Sequence, residues 1–202
     1  GAKNGIVAYD EITKEFLDTR ESLRAEPKIH YSDDDAVYCQ VIEIDVEKLE
    51  PVIAYPFLPS NGHSVSQAVA DNIRVDQVFI GSCTNGRLSD FKIAAEILKD
   101  KKVARHVRLI LTPGTQKILR EATKAGYIDT LVDAGAVVSN PTCGACLGGY
   151  MGILGDGEVC IATTNRNFVG RMGSRSSKIY LANSAVAAAS AISGYITDPR
   201  GL

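Results

Sequence analysis

Short apolar segments alternate with helical patterns between residues 64 and 194, and this alternation limits the folds open to the chain. Residues 75–80 predict a buried strand, residues 88–98 carry apolar side chains at helical spacing, and residues 107–111 predict the next strand. Strands that alternate with helices form parallel sheets covered by helices. We therefore expect an α/β fold with three layers, α/β/α, and a mostly parallel sheet.

The later segments continue the same pattern. A helix is predicted from about Thr115, whose hydroxyl can cap its first turn. The last helix, over residues 183–193, consists mostly of alanine and serine and is expected to stop at Gly194. Further strands are predicted at 136–138, 159–163 and 179–182.

The first part of the chain is less regular. Its spacing predicts a helix over residues 11–24 and an alternating strand over residues 37–46, whereas the prolines and the glycine of residues 51–62 predict a linker. We therefore divide the chain into a partial α/β segment with a linker, residues 1–62, and an α/β domain, residues 63–202. The partial segment is expected to be truncated upstream, because the chain begins without methionine.

Charge and composition disfavour two classes of function. The 202 residues carry a net charge of −2, so the sequence lacks the basic surface that a nucleic-acid-binding protein needs. No apolar run approaches the roughly 20 residues that span a bilayer. Without a pattern typical of a signal peptide, we expect a cytoplasmic protein that binds neither nucleic acid nor membrane.

Three polar, glycine-containing loops directly follow predicted strands. They are the first loop (81–86), the second loop (140–149) and the third loop (165–173). Ligands of open α/β sheets bind outside the carboxyl ends of the strands. We therefore expect the three loops to meet at one edge of the sheet and to form a binding site.

The five cysteines divide into two groups. Cys39 and Cys160 lie in apolar predicted strands, so we expect them to be buried and inert. Cys83, Cys143 and Cys146 lie in the polar loops, where a structural thiol is unusual. The Cys143-x-x-Cys146 pair alone fits half of a zinc site, a redox dithiol or two ligands of an iron–sulfur cluster. Three loop thiols without a suitably spaced histidine fit a cluster with one open metal position.

Two arginines of the third loop complement such a metal position. Arg166 and Arg171 stand beside Asn165 in a glycine-punctuated turn. Guanidinium groups match the geometry of carboxylates, and an open metal position acts as a Lewis acid that binds a hydroxyl or a carboxylate. Together these features predict a site for a small carboxylic acid that carries a leaving hydroxyl.

The three loops also resemble the signature loops of the aconitase superfamily, in order and in spacing. The resemblance rests on Gly-Ser-Cys-Thr-Asn at 81–85, Cys-Gly-Ala-Cys-Leu-Gly at 143–148 and Asn-Arg-Asn-Phe-x-Gly-Arg-x-Gly at 165–173. It extends over essentially the whole chain, and the sequence pattern is most similar to that of the large subunits of two-subunit members. In such a subunit this chain would form the C-terminal half.

The resemblance implies specific roles for the loop residues. Cys83, Cys143 and Cys146 would hold a [4Fe-4S] cluster with one open iron, and Arg166 and Arg171 would bind the substrate carboxylate. The residues that the resemblance places beside the cluster are Thr84, Asn85 and Asn165. No residue of this chain is assigned a catalytic role, because the family's catalytic serine belongs to a small, swivelling subunit.

The implied reaction is that of a hydro-lyase, which isomerises a 2-hydroxy acid by dehydration and rehydration. The expected substrate pair is 2-isopropylmalate and 3-isopropylmalate of leucine biosynthesis, and the homocitrate isomerisation of a homoaconitase is the alternative. A non-catalytic metal-binding or CxxC redox module is the alternative from another class. Since the upstream residues and the small subunit are missing, we expect this chain alone to be inactive.

Overall fold

The computed structural model describes residues 4–20 and 28–202, which fall into two compact units. The first unit comprises the described residues up to Glu47, and the second comprises Lys48–Leu202. In the first unit, α1 (Glu11–Asp18) begins where the Asp10 side chain accepts a hydrogen bond from the Thr13 N–H. The predicted helix over 11–24 thus ends earlier, and its expected continuation over 21–24 lies outside the described residues.

The second unit is built on a seven-stranded sheet of order β2-β1-β7-β6-β3-β4-β5. Strands β3 to β7 are parallel to one another, whereas β1 pairs antiparallel with both β2 and β7. The mostly parallel α/β fold predicted from the sequence is therefore confirmed. The strands are β1 (Val52–Ala54), β2 (Gly62–Ser64), β3 (Gln77–Gly81), β4 (Arg108–Thr112), β5 (Val137–Val138), β6 (Val159–Ala162) and β7 (Lys178–Leu181).

Two helices of the second unit begin or end at the capping residues that the sequence predicted. The Thr115 hydroxyl accepts a hydrogen bond from the Ile118 N–H, and the last helix stops at Gly194 in the left-handed conformation, so both predicted caps are confirmed. The helices are α2 (Val65–Ala70), α3 (Ser82–Asn85), α4 (Leu88–Leu98), α5 (Gln116–Lys124), α6 (Tyr127–Ala134) and α7 (Ser184–Ser193).

Alternate residues of the central strands face two separate hydrophobic cores. Val78 and Ile80 lie in the core that the helices cover, and between them Phe79 faces a second core with Ala145 and Met172. Within the described residues, this second core contains no side chain from an α-helix. Helices therefore cover one face of the sheet only, and the second helical layer of the expected α/β/α arrangement is replaced by the loops between β5 and β7.

The hairpin formed by β1 and β2 lies within the stretch predicted as a linker. Its backbone joins the sheet because Ala54 pairs with Leu181 of β7. The second compact unit accordingly begins at Lys48, well before the boundary predicted at residue 62. The division into 1–62 and 63–202 stays a prediction about domains.

The predicted strand over residues 37–46 is absent. Within the described residues, no helix or strand occupies residues 36–45, and a short 3-10 turn follows at Val46–Lys48. Cys39 is therefore exposed, and the expectation that it is buried is wrong, because the strand that would bury it does not form. Cys160, in contrast, is fully buried in β6, as predicted.

Burial makes the folding stability sensitive to alkaline pH through Cys160. Burial raises the pKa of this thiol to about 12, from an ordinary value of 9.0. The unfolded chain releases the proton near pH 9, whereas the folded chain keeps it up to about pH 12, so we expect the free energy of unfolding to fall above pH 9. Urea denaturation at several alkaline pH values measures this decline. A Cys160→Ala variant, although less stable, should decline less steeply, and an equal slope would contradict the assignment.

In the part of the chain that the structure describes, no helix is both long and apolar enough to cross a bilayer. The cytoplasmic location stays a prediction from the sequence.

Candidate functional site

The first loop turns sharply where β3 ends. Gly81 has a φ of +126°, and a Cβ atom on this residue would lie 2.0 Å from the Thr112 carbonyl oxygen. Its N–H donates a hydrogen bond to the Thr163 hydroxyl over 2.9 Å. This glycine therefore lets the turn that carries Cys83 lie directly against the ends of β4 and β6.

Replacing Gly81 by alanine is expected to lower the free energy of unfolding by more than about 3 kcal/mol, because the methyl group would overlap the β4 backbone. Gly157→Ala is the matched control: its φ is +72°, but nothing lies within 4 Å of the added Cβ. There we expect only the backbone cost of about 1 to 2 kcal/mol. Urea denaturation of both variants compares them, and equal losses would show that Gly81 is not sterically constrained.

Side-chain amides join the first loop to the third. The Asn165 side-chain amide donates to the Thr84 hydroxyl over 2.9 Å, and the Asn85 amide donates to the Thr163 carbonyl. The Thr84 hydroxyl also lies 3.6 Å from the Cys83 sulfur, and this hydrogen bond lowers the pKa of the exposed Cys83 thiol. Cys83 therefore lies at an edge that two loops build together.

The second loop holds its two cysteines in one tight turn. The chain forms a 3-10 turn over Gly144–Leu147, and the Cys146 N–H donates to the Cys143 carbonyl over 3.0 Å. Cys143 is exposed, whereas Cys146 is buried against the second core of the sheet. One sulfur of the pair thus faces solvent and the other faces the protein.

Arg171 joins the third loop to the second. One guanidinium nitrogen of Arg171, Nη2, lies 3.4 Å from the Cys146 sulfur, and the guanidinium carbon lies 5.3 Å from the centre of the Phe168 ring. Together with the Asn165 contact, this interaction brings all three predicted loops into one continuous site. The Arg166 guanidinium instead donates to the Asn165 carbonyl over 2.7 Å and stays exposed.

The third loop also contains buried polar atoms without partners. Within the described residues, three buried side-chain atoms accept or donate no hydrogen bond, and all lie at this loop: Thr164 Oγ1, Asn167 Oδ1 and Arg171 Nε. Leaving such an atom unsatisfied costs about 1–3 kcal/mol. Two of these atoms lie in the third loop and Thr164 directly precedes it, so this loop offers buried polar atoms to which a polar ligand could bind.

Two site residues escaped the sequence prediction. The Asn167 amide is fully buried and donates to the carbonyls of Tyr55 and Ile179, which anchors the third loop to the ends of β1 and β7. The Arg87 Nε lies 3.3 Å from the Thr84 carbonyl oxygen. The position of Arg87 directly after the first loop was a usable signal, but the Asn167 contacts depend on strand pairing that the sequence does not display.

The three loop cysteines are residues of the type that binds an iron–sulfur cluster, but their sulfur atoms are not grouped as cluster ligands. Among the described residues, no group of three or more His, Cys, Asp or Glu side chains is arranged to hold a metal ion. All three loop cysteines are nevertheless free thiols, and a guanidinium already donates to one of them. Hydrogen bonds to sulfur are typical of cluster sites, so the donor set is chemically suited to such a group.

Comparison with known proteins gives a consistent result. A model of the aconitase family (aconitate hydratase) matches residues 1–74 and 68–194. A protein of Aliarcobacter butzleri named 3-isopropylmalate dehydratase large subunit is 90% identical across 100% of this chain. Proteins of the same name from Sulfurimonas denitrificans and Wolinella succinogenes are 77% and 73% identical across 99% and 100% of the chain. The chain covers 48% of each of them, and therefore spans about half the length of the curated relatives that it matches.

Proposed function

Because the chain belongs to the aconitase family, we propose that it forms part of the large subunit of a 3-isopropylmalate dehydratase. This hydro-lyase would interconvert 2-isopropylmalate and 3-isopropylmalate by removing and restoring water, a step of leucine biosynthesis. The names of the relatives support the substrate. The contact of Arg171 with the Cys146 sulfur carries the proposal, because a guanidinium suited to a carboxylate lies beside a thiol that would hold the cluster.

The family implies an iron–sulfur cluster, and we propose a [4Fe-4S] cluster held by Cys83, Cys143 and Cys146. One iron would stay open to the substrate. When bound, the cluster supplies a Lewis acid for the substrate hydroxyl and carboxylate. The meeting of the three loops at one sheet edge supports this ligand set.

The residues of this chain would bind and orient the substrate. Arg166 and Arg171 provide guanidinium groups for its carboxylates, and the unpartnered Nε of Arg171 is a buried donor ready for such a contact. The Phe168 ring lies 5.3 Å from the guanidinium carbon of Arg171, within reach of a cation–π contact. Asn165, through its hydrogen bond to Thr84, keeps the arginine-bearing loop against the Cys83 loop.

Proton transfer would require a partner subunit. We assign no catalytic base to this chain and propose that a small subunit, in a hetero-oligomer, carries the catalytic serine. The name of the relatives as large subunits supports such a partner. The 202-residue chain alone would then be inactive.

A chimera tests the proposed function. These 202 residues replace the matching region of the Aliarcobacter butzleri protein, which is 90% identical there, and the chimera is co-expressed anaerobically with the small subunit of the same organism. We expect the assembly to isomerise 3-isopropylmalate and the separate 202-residue chain to show only background turnover. Turnover by the separate chain would contradict the need for a partner. An assembly that carries the cluster but leaves isopropylmalate unchanged would contradict the proposed substrate.

A further inference from the structure

The first unit exposes a dense run of apolar side chains between residues 36 and 46. Within the described residues, residues 36–45 belong to no strand or helix. The side chains of six large apolar residues are between 61% and 97% exposed: Val37, Tyr38, Val41, Ile42, Ile44 and Val46. A contiguous apolar surface of this kind marks an interaction site more often than a free surface.

The order of side chains in this segment is that of a strand. On an extended backbone the even positions fall on one face, which contains Tyr38, Ile42 and Ile44 and is apolar over most of its length. The opposite face begins with Cys39 between two valines and becomes acidic from Glu43 onward. Such a pattern is typical of a strand that is buried on one face and partly buried on the other.

Charge argues against a second copy of the chain as the partner. The segment is preceded by Asp33, Asp34 and Asp35, and its later half contains Glu43 and Asp45. Antiparallel pairing with another copy would place these acidic ends opposite one another, and parallel in-register pairing would place the three aspartates side by side. Like charges directly opposite destabilise a strand pair.

The length of the relatives identifies a different occupant. The match to the Aliarcobacter butzleri protein covers all of this chain, this segment included, and only 48% of that protein. A comparable length of polypeptide in the same subunit therefore lies outside the matched region. We propose that residues 36–46 form a sheet strand that pairs with this other part of the subunit, with the even face buried. The proposal rests on the chain being part of a longer subunit and not on the cluster or the substrate.

The thiol of Cys39 reports on this pairing. Cys39 is exposed in the chain, so N-ethylmaleimide should label it readily, and peptide mass spectrometry separates it from the other cysteines. In the chimera, we expect labelling to slow by at least about tenfold, because Cys39 lies between Val37 and Val41 in the apolar part of the opposite face, which pairing partly buries as well. Hydrogen exchange should slow in parallel at residues 37–44. Labelling in urea provides the rate for the unprotected thiol in both proteins.

Two variants of the chimera separate strand pairing from general burial. Ile42→Asp places a charge on the even face and should restore fast labelling of Cys39, whereas Glu43→Gln on the acidic part of the other face should leave it slow. Slow exchange of β3 amides in each variant shows that the second unit stays folded. Equal Cys39 labelling in the chain and the chimera would overturn the proposal. Protection that develops in the chain alone as its concentration rises would identify a second copy as the occupant and overturn it as well.

Discussion

Replacing Cys83 by serine is expected to abolish the cluster that forms when the chimera is reconstituted anaerobically with iron and sulfide. The reason is the number of ligands: without Cys83, the second loop offers only Cys143 and Cys146, and two thiolates do not replace the three that the proposed site requires. Iron and acid-labile sulfide per chain, together with the broad visible absorption of the cluster, measure the loss. We expect both to fall to background.

Cys39→Ser is the matched control for this experiment. Cys39 is a free cysteine of the first unit and lies outside the three loops, so its removal should leave the iron content unchanged. A redox dithiol or half of a zinc site built from Cys143 and Cys146 would not depend on Cys83. A Cys83→Ser variant that keeps the metal content of the parent would therefore favour one of those alternatives over the proposed cluster.

Replacing Arg171 by lysine is expected to lower kcat/KM for 3-isopropylmalate by about 100- to 1,000-fold in the assembled enzyme, equivalent to roughly 3 to 4 kcal/mol. Lysine keeps the charge but loses the planar fork and the buried Nε donor, which has no hydrogen-bond partner among the described residues. Steady-state kinetics measures the change. The matched control is Arg175→Lys, because Arg175 is an exposed arginine of the neighbouring turn. The kcat/KM of this variant should stay within about twofold of that of the parent enzyme.

The cluster content distinguishes two roles of Arg171. Because Arg171 also contacts the Cys146 sulfur, a loss of activity could arise through an unstable cluster instead of weaker substrate binding. If Arg171 binds the carboxylate, the Arg171→Lys variant should keep its iron and sulfide while kcat/KM falls. Unchanged kinetics, or a fall in activity that follows the loss of iron in proportion, would contradict a substrate-binding role.

Local signals in the sequence predicted most of the second unit. The strands β3 to β7 are short apolar runs, and the helix ends at Thr115 and Gly194 carry capping residues whose effect is independent of distant contacts. The resemblance to the aconitase superfamily, drawn from three loops, is confirmed by the family match over residues 1–74 and 68–194. These predictions succeeded because each depends on side chains within one segment.

The predictions that failed depend on contacts that one segment does not encode. Residues 37–46 have the pattern of a strand, but no strand pairs with them in the described chain, so the segment is exposed and so is Cys39. Residues 51–62 contain enough proline to suggest a linker, yet β1 and the start of β2 form there, because β1 pairs with β7 and β2 pairs with β1. On the second face of the sheet, the loops between β5 and β7 take the place that a helical layer was expected to fill.

The candidate site shows the same division. Residue type and position singled out the three loop cysteines and the two arginines, whose roles stay predictions. The sequence did not reveal that Arg171 approaches Cys146 or that Asn167 anchors its loop to the Tyr55 carbonyl, because these contacts arise only when separate strands are brought together. It also gave no indication that the third loop buries polar atoms without partners.

Mössbauer spectroscopy of the assembled enzyme, reconstituted with ⁵⁷Fe, shows whether the cluster has an iron that binds substrate. We expect a [4Fe-4S] spectrum in which a single iron site changes when 3-isopropylmalate is added, because three cysteines leave one iron open to the substrate hydroxyl and carboxylate. A spectrum that does not respond to 3-isopropylmalate, or a protein that takes up no cluster while its three loop cysteines are reduced, would contradict this expectation.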